Sequence, residues 1–328
     1  MSSRSSRSAV ILTLLPLVLA GCASATGPNP GDAAPPSPRA SVQTASAPPV
    51  VAETPQLDSA NAKPMPLDPY LLAPAQLGTV EKAQQKLIVD CMAGFGLTYT
   101  PPTGSRSHRD SDAPTTRVDA RYGHQSAALM AVWGYHPEGG VPAGASARPS
   151  GPSFSPETEL VLRGTADSAA RAGAGGQTVN GRKVPERGCI GEAVKELTGA
   201  ADGEIGNPQF ADDVKFTTLE QSRNDPRTQA VFGKWSQCMK DAGFGYPDPL
   251  AALGDPKWRK TPLPTPEEVK VATADAACRH THNVVGVWYA VDTGYQQQAI
   301  AANAAAMAGA KAAVETQVRA ATKVVTAG

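Results

Sequence analysis

Apolar residues recur along this chain at helical spacing far more often than in strict alternation. Val231, Trp235, Cys238 and Met239 fall at i, i+4, i+7 and i+8, one face of an α-helix. Asp225 is a capping residue, Pro226 suits the first helical position, and Gly243 stands where a left-handed residue would end the helix. Leu87, Ile88, Cys91 and Met92 form a similar stripe after Thr79, a candidate cap, with Gly94 or Gly96 as its stop. Further on, Thr265-Pro266-Glu267-Glu268 reads as a cap, a first-position proline and acids at the positive end of a helix dipole. Val284, Trp288, Val291 and Tyr295 then follow a 4-3-4 stripe, and Ile300, Met307 and Val314 recur every seven, with Ala304 and Val318 each four beyond one of them. A helix unbroken from 267 to 325 would be about 90 Å long. Gly286, Gly294 and Gly309 are the places expected to bend it.

Two of these helix ends share a phrase. "DCMAGFGLTYTPP", ending at Pro102, and "QCMKDAGFGYPDP", ending at Pro249, align without gaps. Cys91 meets Cys238, Met92 meets Met239, Gly96 meets Gly243, Tyr99 meets Tyr246 and Pro102 meets Pro249. Each phrase predicts the same local structure: an amphipathic helix, a glycine stop and an exit whose tyrosine packs back on the helix. Between them, "YGHQSAALMAVWGYHP" (122–137) predicts one or two helical turns anchored by Leu129, Met130, Val132 and Trp133. Residues 103–121 and 138–152 are polar or Gly/Pro/Ser-rich and read as loops. Asn180-Gly181 lies between short extended runs and predicts a two-residue hairpin turn, leading into a helix that bears Cys189. The expected fold is therefore mainly α: a helical domain over 70–328 in two related units, about 79–200 and 220–328, with a small β-hairpin and a long C-terminal helix.

Composition narrows the partners. Lys plus Arg and Asp plus Glu both number 30, so the net charge is zero and no basic field gathers nucleic acid. Aromatic residues make up 5%, which implies a lean core.

The N-terminus sets the compartment. Arg4 and Arg7 precede the apolar run "AVILTLLPLVLA" (9–20), which is too short to span a bilayer and reads as a secretory signal over 1–21. It ends in Leu19-Ala20-Gly21-Cys22, which resembles the bacterial lipobox. That resemblance implies cleavage before Cys22 and diacylglycerol on its sulfur, so that membrane lipid is the first partner. Two acyl chains meet the need for stable anchoring. Residues 22–69 are rich in Pro, Ala, Ser and Thr with no aromatic before Tyr70, and read as a disordered tether. The expected location is the extracytoplasmic face of the cell membrane.

Outside the cytosol, cysteines pair. Cys91, Cys189, Cys238 and Cys278 allow three pairings. The repeat favours Cys91–Cys189 and Cys238–Cys278, one staple per unit; free thiols and a metal site are the alternatives. Zinc ligands usually come in close pairs such as C-x₂-C, and no two of these cysteines are close. His124 and His136 flank a helix without other ligand spacing, and on a helix His280 and His282 would point to different sides. No catalytic, cofactor or metal residue is assigned.

The familiar catalytic phrases are absent: no G-x-S-x-G, S-x-x-K, H-E-x-x-H, Walker loop or G-x-G-x-x-G occurs. Asp212-Asp213 and Glu267-Glu268 are neighbours in sequence and read as surface or capping charge. The phrases "CMAGFGLTY", "YGHQ…WGYH", "VPERGCIGEA", "WSQCMKDAGFGYPDP" and "TADAACR" resemble a group of secreted actinobacterial lipoproteins over most of residues 80–295. The resemblance implies secretion and lipid attachment and supplies no functional residue. The expected function is a non-enzymatic binding or interaction protein of the cell envelope, whose partner is an envelope protein or cell-wall polymer. A cell-wall hydrolase or other extracytoplasmic enzyme with an unrecognised site is the alternative. A ligand-delivery role for a transporter would ordinarily call for alternating strands and helices, which the pattern lacks.

Overall fold

A computed structural model describes residues 41–45, 47–51, 53–101, 119–141 and 154–327. The expected signal (1–21), Cys22, the tether up to residue 40, Pro102, and the loop residues 103–118 and 142–152 lie outside the described residues. After a 3-10 turn at Asp68–Tyr70 come α1 (Pro74–Gly94), α2 (Asp119–Tyr122), α3 (Ala127–Trp133) and α4 (Pro156–Arg163). Strands β1 (Thr178–Val179) and β2 (Arg182–Lys183) lead to α5 (Gly188–Thr198), α6 (Gln209–Asn224) and α7 (Pro226–Asp241). A short α8 (Pro249–Leu253) and a 3-10 turn at Pro256–Lys260 precede α9 (Pro266–His282), α10 (Val284–Ala302) and α11 (Ala304–Thr326). The fold is mainly helical, as the periodicity predicts.

The repeated phrase builds the same helix end twice. In α1 the Leu97 amide donates to the Met92 carbonyl at 3.1 Å and the Gly96 amide to Ala93 at 2.9 Å. In α7 the aligned Phe244 amide donates to Met239 at 2.8 Å and the Gly243 amide to Lys240 at 3.0 Å. This is the Schellman pair of bonds, and it needs a left-handed residue: φ is +73° at Gly96 and +92° at Gly243. Met92 and Met239 are both fully buried one residue after the paired cysteines. The first helix starts at Pro74 rather than after Thr79. Its cap is the backbone of Ala73, whose amide donates to the Gln76 side chain at 2.8 Å, and Thr79 sits inside the helix donating to the Ala75 carbonyl.

Both expected disulfides are present. Cys91–Cys189 joins α1 to α5 with Cα atoms 5.7 Å apart, and Cys238–Cys278 joins α7 to α9 at 5.8 Å. Around the first, Met92, Phe95, Val161, Leu162 and Ala193 form one apolar cluster. The hairpin closes on it: Thr178 pairs with Lys183 and Val179 with Arg182, Asn180 donates to the Phe95 carbonyl at 2.7 Å, and Arg182 covers the Phe95 ring. Around the second, Trp235, Met239, Phe232 and Trp288 form a larger cluster with Tyr122, Met130 and Tyr135. In the 122–137 segment Met130 is the buried anchor and Val132 is 61% exposed, because α3 lasts under two turns and its flanking tyrosines do most of the filling.

The C-terminal run is three helices rather than one. It breaks at Asn283, in the left-handed region at φ +52°, and at Asn303, not at the glycines. Both breaks fall where the described residues of 41–72 are bound, so this stretch does not stay free as far as 69. It forms a strap that descends along α10 and returns along it. Asn303 bonds both backbone groups of Gln43, accepting from its amide at 3.0 Å and donating to its carbonyl at 2.9 Å. Asn283 likewise accepts from the Leu57 amide at 3.0 Å and donates to the Pro55 carbonyl at 2.9 Å. Gln296 accepts from the Leu67 amide on the return. Gly286 and Gly294 are where the strap passes closest: a Cβ on Gly286 would collide with the Pro55 carbonyl, and one on Gly294 would stand 2.8 Å from Pro49. The strap buries Leu57, Ala60, Met65, Leu67, Leu71 and Leu72. Meanwhile α11 packs on α1, α5 and α6, so it does not project as a stalk.

Candidate functional site

Catalysis by carboxylates or histidines requires such groups facing a substrate. Three carboxylates on α9 and α10 are fully buried instead, and each is engaged by the segment 121–136. Asp292 takes the Arg121 guanidinium, whose Nε pairs with it and whose second nitrogen donates at 2.5 Å; the Tyr122 hydroxyl donates to it at 2.6 Å. Arg121 also donates to the Thr218 hydroxyl and the Lys215 carbonyl. Burial and the adjacent Asp292 charge push the Tyr122 phenol well up, so it stays a donor. Asp275 accepts from Trp235 at 2.8 Å, Arg279 at 2.7 Å and Tyr135 at 3.1 Å. Burial, then the Asp275 charge, raises Tyr135 as well.

Glu268 is the third. It accepts from the Tyr135 amide at 2.8 Å and lies 2.7 Å from His136 Nδ1, while His136 Nε2 lies 2.9 Å from the Thr261 carbonyl. Both ring nitrogens thus face acceptors, an arrangement that an imidazolium satisfies. Burial opposes the charge, but the bonds to Glu268 and Thr261 prevail and raise the histidine. The sequence pattern makes Glu267-Glu268 a pair of capping charges. Glu267 does face outward, pairing with Lys257, whereas Glu268 turns inward. The signal for this lies in the WGYH phrase: Gly134 has φ +57° and no room for a Cβ beside the Glu268 side chain. These networks fasten a loop to two helices: both oxygens of Asp275 and Asp292 and one of Glu268 accept from protein donors, while Glu268 Oε2 is buried without a hydrogen bond.

The remaining candidates are binding surfaces. The one with convergent chemistry is a groove of about 410 Å³ between α7 and α10. On α7, Arg227, Val231 and Lys234 share one face at i, i+4 and i+7. Opposite them α10 presents Val287 and Val291, and His282 ends α9 at one rim. The strap residues Val51 and Thr54 form the outer wall. Arg227 is fixed: it donates twice to Asp225 at 2.8 Å and once to the Pro49 carbonyl at 3.0 Å. The bonds from Arg227 hold the Asp225 carboxyl below the usual carboxylate range despite its burial. Lys234 is exposed and His282 half-buried.

A wider groove of about 580 Å³ lies between the start of α1 and α11, but its lining charges, Asp68 and Glu315 with Lys311 and Arg319, offset one another. A cavity of about 30 Å³ beside His124 and His136 has room for a water molecule. Of the residues that the sequence singles out, the four later cysteines form two staples. Cys91 Sγ lies 3.1 Å from Glu192, but a sulfur committed to Cys189 is no metal ligand. His280 pairs with Asp58 of the strap at 2.5 Å and does not line the groove that His282 borders. Cys22 is outside the described residues. No family model, no curated protein and no solved structure matches the chain.

Proposed function

We propose that this chain is an extracytoplasmic lipoprotein, held at the cell membrane through acylated Cys22, that works as a non-enzymatic binding protein of the envelope and belongs with the secreted actinobacterial lipoproteins it resembles. The observation that carries this reading is the lipobox-like Leu19-Ala20-Gly21-Cys22 directly after a short apolar run. The pairing of the four later cysteines supports it, because such bonds persist in oxidising compartments. The binding role is supported by where the ionisable groups lie: the buried acids are spent on fastening the fold, and the convergent groove offers cations over an apolar floor. An envelope protein or cell-wall polymer is the macromolecular partner of this reading.

The test is metabolic labelling with a radioactive fatty acid in cells expressing the full chain or its Cys22→Ala variant. The reading expects label on the wild type alone, and loss of the variant from the membrane fraction. Equal, unlabelled amounts of both proteins in the culture fluid would overturn it.

A further inference from the structure

We propose that the groove between α7 and α10 binds a single-chain anionic amphiphile, a carboxylate with an aliphatic tail. The idea rests on the binding reading above and not on the lipid anchor. Three observations converge. First, the rim is cationic and open to a ligand. Among the described residues Lys234 and His282 have no ion-pair or hydrogen-bond partner, so both side chains are available to a ligand. No carboxylate lines the groove among the described residues. The acid beneath it, Asp225, already accepts from Arg227 and from the Tyr295 hydroxyl.

Second, the floor is aliphatic. Ala230 and the half-buried Val287 face the open groove, and Val231 and Val291 are packed beneath them at 5% and 1% exposure. A bare inorganic anion would leave this aliphatic floor unused, and a neutral hydrocarbon would leave the ammonium and imidazole unused. A carboxylate head at Lys234 and His282 with its tail along Ala230, Val287 and Val51 uses both. Third, the outer wall is held in position. Gly286 and Gly294 let the strap lie against α10, and Asn283 and Arg227 hold its backbone at Pro55 and Pro49, so Val51 and Thr54 stand at a set height over the valines. The volume of about 410 Å³ falls within the range of small-molecule sites.

The experiment titrates the full-length protein, carried in lipid nanodiscs, with decanoate by calorimetry, and subtracts the heat from empty nanodiscs. Acetate and decyltrimethylammonium serve as the headgroup-only and wrong-charge probes. Saturable decanoate binding is expected, with neither control probe saturating. The double variant Lys234→Gln/His282→Gln is expected to weaken decanoate about tenfold or more, since each lost charged contact is a large share of a small ligand's affinity. The thermal midpoint of the double variant is expected to be unchanged; Val287→Ser, which also loses a core contact, is expected to lower the midpoint and to weaken decanoate at a temperature where it stays folded. Three results would each overturn the proposal: no saturable decanoate binding, acetate binding as tightly as decanoate, or undiminished affinity in a double variant that still folds. Failure of the fatty-acid labelling would remove the anchor and leave these titrations as they stand.

Discussion

An acid in the first turn of a helix ordinarily faces water and complements the dipole. Glu268 does the opposite because its helix begins beside a buried histidine, and a buried pair of this kind is costly to break from one side. Glu268→Ala is expected to lose about 1–3 kcal/mol or more in urea unfolding, since it strips the buried Tyr135 amide and His136 ring of their acceptor. The pair also makes stability depend on pH. The folded-state pKa of His136 is raised, so the folded chain keeps this proton to higher pH than the unfolded chain. Its contribution is complete below about 6.5, the ordinary histidine value, and is lost as pH rises through the raised folded value. Wild type should therefore lose unfolding free energy relative to His136→Gln across that window, and parallel curves would sink the assignment. Asp225 acts with the opposite sign. Its folded pKa is depressed, so its contribution is present above about 3.9 and fades as pH falls through the folded value.

At the scale of elements, two glycines do the same work at sites 147 positions apart in the numbering (243 − 96). Gly96→Ala and Gly243→Ala should each cost about 1–2 kcal/mol, and similar amounts, because each forces a side chain into the left-handed region. Unequal costs, with one near zero, would show that the shared phrase is not a shared structure. The glycines of α10 act differently. Gly286→Ala should displace the strap from that helix and speed proteolysis between 47 and 57, with little change in helix content by circular dichroism. This contrast marks what the sequence makes legible. Stripes, caps, the Asn180-Gly181 turn and the repeated stop are local, so they can be read from spacing. The strap cannot. Leu57, Met65 and Leu67 are scattered among prolines and polar residues without a period, and they are held by Asn283 and Gln296, more than two hundred residues later. The helix breaks escape a local reading for the same reason: glycine is the local signal for a break, whereas Asn283 and Asn303 break the run where their side chains bond another segment. The groove is equally invisible in the sequence, since Val231 has the pattern of ordinary core and Lys234 that of ordinary surface.

Across the whole molecule, the two disulfides fasten helices 98 and 40 residues apart. By the chain-entropy relation these closures contribute about 4.7 and about 3.9 kcal/mol. Replacing Cys91 and Cys189 together by alanine should therefore lower the unfolding midpoint somewhat more than replacing Cys238 and Cys278. α11 ties the early helices to the late ones, so either loss should appear as a shift of one cooperative transition rather than as a separate early melt of one half. The strap adds a property that neither staple has. Its contacts meet the helices in sequence, Gln43 at Asn303, then Pro49 at Arg227, then Pro55 and Leu57 at Asn283. Mechanical tension applied at residue 41 would load the outermost clamp first and peel the others in turn, so the protein would yield to force in small graded steps.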